Sequence, residues 1–218
     1  MNGGAHVFLD LDGTLTDPRQ GFLRCVRHAF ERLGRAPPPE EAIAAHIGPP
    51  LEETFTALLG PDPATVARAV AFYRERYAAG GLFETAWYPG VEQAVRALAE
   101  RATLTVVTSK PTLYAAAIVA PWSAARCFRA VHGCGLNGER ADKRELIAHV
   151  LASEHIPAAG AAMVGDRAHD IRGARHNGVR GFGAGWGYGS PAELRGAGAA
   201  AIFATPAELA QSLPLPLP

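Results

Sequence analysis

Two carboxylates two positions apart close a short apolar run: Ala5–Leu9 leads into Asp10-Leu11-Asp12-Gly13-Thr14-Leu15-Thr16. A strand reverses side-chain direction at each residue, so Asp10 and Asp12 share a face if the strand runs past Leu9. Gly13 lets the backbone leave the sheet at once, which puts both acids on a strand-end loop that a ligand can reach. Two acids so placed suit phosphoryl transfer, in which they must do different jobs. A lone DxD is as readily a solvated turn, but the composition weighs against that here. Asp occurs seven times in 218 residues, and four of the seven form two pairs, Asp10 with Asp12 and Asp166 with Asp170. Lys occurs only at 110 and 143, against 19 Arg. Lys is a compact point charge and Arg a rigid fork, so a site built around a phosphate oxygen has a use for the scarcer residue.

Three further segments belong with these acids. Asp10, Thr108 and Asp166 each stand at or just past the C-terminal end of a strand-like run, so a parallel sheet brings all three to one edge. Thr108-Ser109-Lys110-Pro111 precedes a helix-like run, and its hydroxyls and amides are expected to form an anion site at the helix N-terminus. Asp166 and Asp170, four apart, suit a hard divalent cation held through oxygen. Lys143 falls in a first helical turn, where the dipole disfavours a cation by about 0.3–1 kcal/mol; a neighbouring phosphate would give a reason for it. Unit charges about 4 Å apart repel by about 4 kcal/mol at an effective dielectric near 20. Clustered carboxylates facing a phosphate therefore require cations, for which Mg2+ and Lys143 are the candidates. Mg2+ fits carboxylates and a substrate phosphate better than Zn2+, and no His/Cys cluster of zinc type is present.

The elements that must position these residues alternate from Val91 onward. Helical runs at 91–101, 112–120, 143–154 and 170–177 are interleaved with extended runs at 103–107, 129–132, 161–164 and 179–182. This predicts an α/β fold with a parallel sheet and helices on both faces. Between Asp17 and Trp87 no strand pattern appears, and apolar residues recur at helical spacing (Phe22, Val26, Phe30; Val66, Val70, Tyr73). An all-helical unit over 17–87 is therefore expected as an insertion into an α/β domain of 1–16 and 88–218. A cap leaving the chain beside Asp12 would cover the acids and admit only a small metabolite.

Zero formal net charge, without runs of like charge, gives no source of steering toward nucleic acid or an anionic membrane. Three Cys without a CxxC pair point to reduced thiols. No segment approaches the length of a bilayer span, and a cytoplasmic location is expected.

Taken together, the motifs resemble those of the haloacid dehalogenase superfamily of phosphatases, in the branch with a helical cap after the first motif. Asp10–Thr16 matches the first motif, Thr108-Ser109-Lys110 the second, Lys143 the third, and Gly165-Asp166 with Asp170 the fourth. The resemblance implies a Rossmann-like core in which Asp10 is the nucleophile and a Mg2+ ligand. It makes Asp12 the general acid and base, with its carbonyl on the metal. Thr108, Ser109 and Lys143 would hold phosphate, and Asp166 and Asp170 would complete the metal site. Arg167 stands where many relatives carry a small hydroxyl residue. The text of the cap resembles phosphoglycolate phosphatases, for which Arg24 and Arg27 are candidates to bind a substrate carboxylate. Phe55, Trp87 and Tyr88 are the corresponding candidates to stack on a base in a nucleotidase-like relative. Asp12 argues against a dehalogenase, and the absence of Lys from 17–87 argues against a phosphonatase. A phosphosugar mutase uses the same two acids, and a non-enzymatic binding domain would show a damaged motif, which this chain does not. The sequence leaves the oligomeric state open.

Overall fold

The computed structural model describes residues 5–215. Its strands are β1 (His6–Leu9), β2 (Thr16–Asp17), β3 (Ala86–Trp87), β4 (Thr103–Pro111), β5 (Phe128–Cys134), β6 (Ala161–Gly165), β7 (Arg180–Ala184) and β8 (Ile202–Phe203). Six of them form one sheet in the order β5-β4-β1-β6-β7-β8, and β2 pairs with β3. Every pairing within the larger sheet is parallel, with β1 between β4 and β6. The chain divides into two compact units, one comprising the residues up to Thr16 and from Trp87 onward, the other Asp17–Ala86.

The inserted unit contains α1 (Arg19–Arg32), α2 (Glu40–Ala44), α3 (Leu51–Leu59) and α4 (Pro63–Ala78). Gly34, at φ +69°, ends α1: its N–H bonds to Glu31 O while Arg35 N–H bonds back to Phe30 O. Asp62 caps α4 through Thr65 N–H at 3.0 Å, with Pro63 as the first helical residue. Phe22, Phe55 and Tyr73 meet edge to face inside this unit. Phe55 is fully buried there, so its aromatic face serves packing and is not presented to a base. Trp87 likewise stacks on Trp122, with ring centroids 3.6 Å apart.

The sheet unit carries α5 (Val91–Ala99), α6 (Thr112–Val119), α7 (Lys143–Ser153), α8 (Ala168–His176), α9 (Pro191–Ala197) and α10 (Pro206–Ser212). Successive residues of β1 serve opposite faces. Phe8 packs with Val107, Met163 and the α7 residues Leu146, Ile147 and Val150. Leu9 meets Val91, Val95 and Leu98 of α5 and Leu209 of α10 around a small apolar cavity. Burying such side chains stabilises by about 1.5–3 kcal/mol each, so the central strand is anchored from both sides. This is why the strand reads as a continuous apolar run.

The helices at 143, 191 and 206 start where capping residues place them: Asp142, Ser190 and Thr205 accept N–H bonds from Arg144, Glu193 and Glu208. The strand expected to end at Val107 instead continues to Pro111. Proline disfavours a helical conformation in the residue before it, which keeps Lys110 extended. Among the described residues no helix is long and apolar enough to cross a membrane.

Candidate active site

All the acids singled out in the sheet unit arrive at the C-terminal edge of the sheet. The pairing of β1 with β6 runs one residue past Leu9, because Asp10 N–H bonds to Val164 O at 3.0 Å. Beyond it the chain turns tightly, with Leu15 and Thr16 N–H both bonded to Leu11 O. Gly13 is required twice over. Its φ is +87°, and a Cβ there would lie 2.2 Å from Asp166 Oδ2.

Lys143 opens α7 and is buried, with its Nζ 2.9 Å from Asp10 Oδ1 and 2.7 Å from Asp170 Oδ1. The same ammonium donates to Val107 O at 2.8 Å. Its place in the first turn therefore reflects two carboxylates already in the structure. Asp170 also accepts Arg167 N–H at 3.1 Å, which ties it to the start of α8. Asp166 is held by Thr14 Oγ1 at 3.2 Å and Tyr188 N–H at 2.9 Å. The glycine-rich loop after β7 thus borders the site through the Tyr188 backbone, while Trp186 donates its indole N–H to Thr14 O.

Asp10, Asp166 and Asp170 are all buried, and only Asp10 and Asp170 are paired with the Lys143 ammonium. Burial pushes Asp166 up to about 8, with the negative charges of Asp170 and Asp10 adding to it. Burial raises Asp10 too; Lys143 opposes this and Asp170 adds to it. For Asp170 burial acts upward as well, but Lys143, His169 and its hydrogen bonds outweigh it and hold the group below the usual range. Two of the three carboxyls therefore hold their protons more tightly than a free carboxyl does.

The other expected site residues fall as follows. Thr108 is buried, and its Oγ1 accepts Lys110 N–H at 3.3 Å. Ser109 Oγ donates to Ala141 O at 3.0 Å. Because β4 continues to Pro111 and α6 begins at Thr112, the amides of Ser109 and Lys110 belong to an extended segment, not to a helix N-terminus as the sequence suggested. Arg167 is bound to Glu193 at 3.0 Å. Arg24 and Arg27 lie in the inserted unit, where each already faces a carboxylate, Glu84 at 3.0 Å and Glu40 at 2.7 Å.

Two residues were missed. His169 groups with Asp10 and Asp170, one ligand atom from each lying within 4.8 Å of the others. Lys110 Nζ lies 2.5 Å from Asp12 Oδ2. The scarcity of Lys was a signal for the second; the first lies inside the fourth motif, where a solvated helix start is explanation enough.

The donor set suits a hard divalent cation. Asp10 Oδ1 and Asp170 Oδ1 are buried without an aligned hydrogen bond, their contact with Lys143 being ionic. A divalent cation would also offset the repulsion among these carboxylates. Of the three side chains expected on the metal, Asp10 and Asp170 converge. Asp166 is engaged by Thr14 and Tyr188, while the Lys110 contact is with the Asp12 side chain and not with the carbonyl expected on the metal.

A pH dependence follows from Asp166. A carboxyl raised in the folded state keeps a proton that the unfolded chain loses, so its contribution to stability declines as pH rises from about 4 to about 8. A divalent cation held by these carboxylates would oppose that decline. Melting with and without MgCl2 should show a larger Tm gain at pH 8 than at pH 5, and equal gains at both would contradict this account.

A family model described as haloacid dehalogenase-like hydrolase matches residues 7–184. The chain is 44% identical over 191 residues to a 5'-nucleotidase of Pseudomonas aeruginosa, covering 87% of this chain and 86% of that protein. It is 37% identical over 186 residues to the tyrosine-protein kinase PtkA of Mycobacterium tuberculosis, covering 84% of this chain but only 62% of that protein's length. The solved structure of PtkA superposes with a TM-score of 0.82 at 33% identity, over 99% of this chain and 100% of that one. A phosphoglycolate phosphatase of Nitrosospira multiformis is 29% identical over 190 residues, covering 84% of this chain and 83% of that protein.

Proposed function

The chain belongs to the haloacid dehalogenase-like hydrolase family, and from that premise we propose that it is a Mg2+-dependent phosphatase acting on a small-molecule phosphate monoester through an aspartyl phosphate. The observation that carries the reading is the buried group at the sheet edge: Asp10 beside Lys143 and Asp170, with Asp12 two residues on.

Asp10 attacks phosphorus in line with the ester bond. That bond breaks onto the ester oxygen, which takes a proton from Asp12. Water then attacks the phosphorus of the aspartyl phosphate and gives its proton to Asp12, and the Asp10 carboxylate departs. Lys143 holds Asp10 in place and offsets charge on the phosphoryl oxygens. Thr108 Oγ1 accepts from Lys110 N–H, which leaves its own proton to donate to phosphate. Ser109 would turn from Ala141 O to do the same. Mg2+ would be held by Asp10, Asp166, Asp170 and the Asp12 carbonyl, and would neutralise charge on the transferring group. The three free cysteines agree with a reducing, cytoplasmic setting.

Within this class a nucleoside 5'-monophosphate stands ahead of phosphoglycolate. The relative at 44% identity is named a 5'-nucleotidase, and Arg24 and Arg27 would have to leave Glu84 and Glu40 to receive a substrate carboxylate. Phosphate release from a panel of nucleoside monophosphates, 2-phosphoglycolate and hexose phosphates, with Mg2+ or chelator, tests this. The expected result is metal-dependent release with the highest kcat/KM on a nucleotide. Preference for 2-phosphoglycolate would overturn the substrate assignment. Isomerisation of a hexose phosphate without release would make the chain a mutase, and activity confined to phosphoproteins would overturn the small-metabolite reading.

A further inference from the structure

The only two lysines of the chain each meet one acid of the DxD segment. Lys143 is on Asp10 and belongs to the third motif; Lys110 is on Asp12 and has no role in the reaction above. We propose that Lys110 is a positioning residue for Asp12, fixing the carboxyl in the orientation from which it protonates the leaving oxygen. The proposal rests on the phosphatase reading.

The placement of Lys110 is built into the backbone. Pro111 keeps Lys110 extended, and regular pairing of β4 with β5 shifts between Val107 and Pro111. At that irregularity Gly133 of β5 sits so close that a Cβ would lie 2.2 Å from Lys110 O and 2.7 Å from Thr112 N. Lys110 N–H is bonded to Thr108 Oγ1 at 3.3 Å. The main chain is therefore pinned on both sides, and the side chain, only 11% exposed, runs to Asp12 Oδ2 at 2.5 Å.

Asp12 needs such support. Its side chain is 24% exposed, against 8% for Asp10. Its other oxygen, Oδ1, has Thr16 Oγ1 at 3.3 Å, a hydroxyl equally distant from Leu11 O. One hydroxyl proton cannot serve both acceptors at once. Lys110 is then the contact that fixes the plane of the carboxyl, and a charged donor does so more strongly than a shared hydroxyl. Loss of orientation reduces catalysis without loss of the group itself.

Leaving-group dependence separates this role from a structural or phosphate-binding one. An alkyl phosphate requires a proton on its departing oxygen, whereas p-nitrophenolate leaves without one. The ratio kcat/KM covers steps up to the first phosphoryl transfer and excludes hydrolysis of the aspartyl phosphate, in which Asp12 also takes part. Lys110→Met should lower kcat/KM for a nucleoside monophosphate by roughly 10²-fold, the low end of what general acid catalysis contributes, and for p-nitrophenyl phosphate by less than about threefold. Lys110→Arg, which keeps the charge, should retain more of the alkyl-ester activity. Equal losses on both esters, or a raised KM with kcat unchanged, would overturn the positioning role while leaving the phosphatase reading in place. A parent enzyme inactive on both esters would overturn the two together.

Discussion

Asp10→Asn is expected to fold as the parent does and to release no phosphate, a loss of at least about 10⁴-fold in kcat. The amide cannot form the acyl phosphate, so no other group in the site replaces it. Stability should not suffer. Burial raises the Asp10 carboxyl, Lys143 opposes the shift and Asp170 adds to it, leaving a net rise. Ionised Asp10 is thus held against its preference when no cation is bound, and a neutral amide removes that cost. Melting of the variant in chelator at pH 7 should match or exceed the parent, and phosphoenzyme trapping should give no labelled protein. Turnover within tenfold of the parent would refute the nucleophile assignment.

The second large effect is on stability. Lys143 is buried and faces Asp10, Asp170 and Val107 O together. Lys143→Met keeps a linear side chain but leaves two buried carboxylates without their cation, and breaking such a pair from one side costs about 3–5 kcal/mol. Urea unfolding in chelator at pH 7 should show that loss as a lower midpoint at nearly constant slope. Adding Asp170→Asn should restore part of it, because the uncompensated charge is then fewer by one. A single variant as stable as the parent would mean that the ion pairs contribute nothing, and the third motif would lose its physical basis.

Much of this protein is visible in short stretches of sequence. The edge positions of Asp10 and Asp166 follow from apolar runs that stop where the acids begin. The starts at Lys143, Pro191 and Pro206 follow from caps at Asp142, Ser190 and Thr205. The short helices at Glu40–Ala44 and Leu51–Leu59 were not delimited, since five to nine residues between prolines and glycines carry too few helical repeats to show a face. Thr108–Pro111 was misread for a related reason. Strand and helix meet there, and the extension to Pro111 depends on β5 lying alongside it.

The sequence by itself determined the α/β alternation, the inserted helical segment and the residue types at the sheet edge, because periodicity, capping and turn chemistry act over a few residues. Only the tertiary structure decided which lysine meets which acid, that Asp10 and Asp170 share one buried ammonium, that Asp166 is pushed up to about 8, and that His169 joins Asp10 and Asp170. These are electrostatic relations. They depend on distances of a few ångströms and on exclusion of water between residues far apart in the chain, and neither exists until the sheet and its helices are packed.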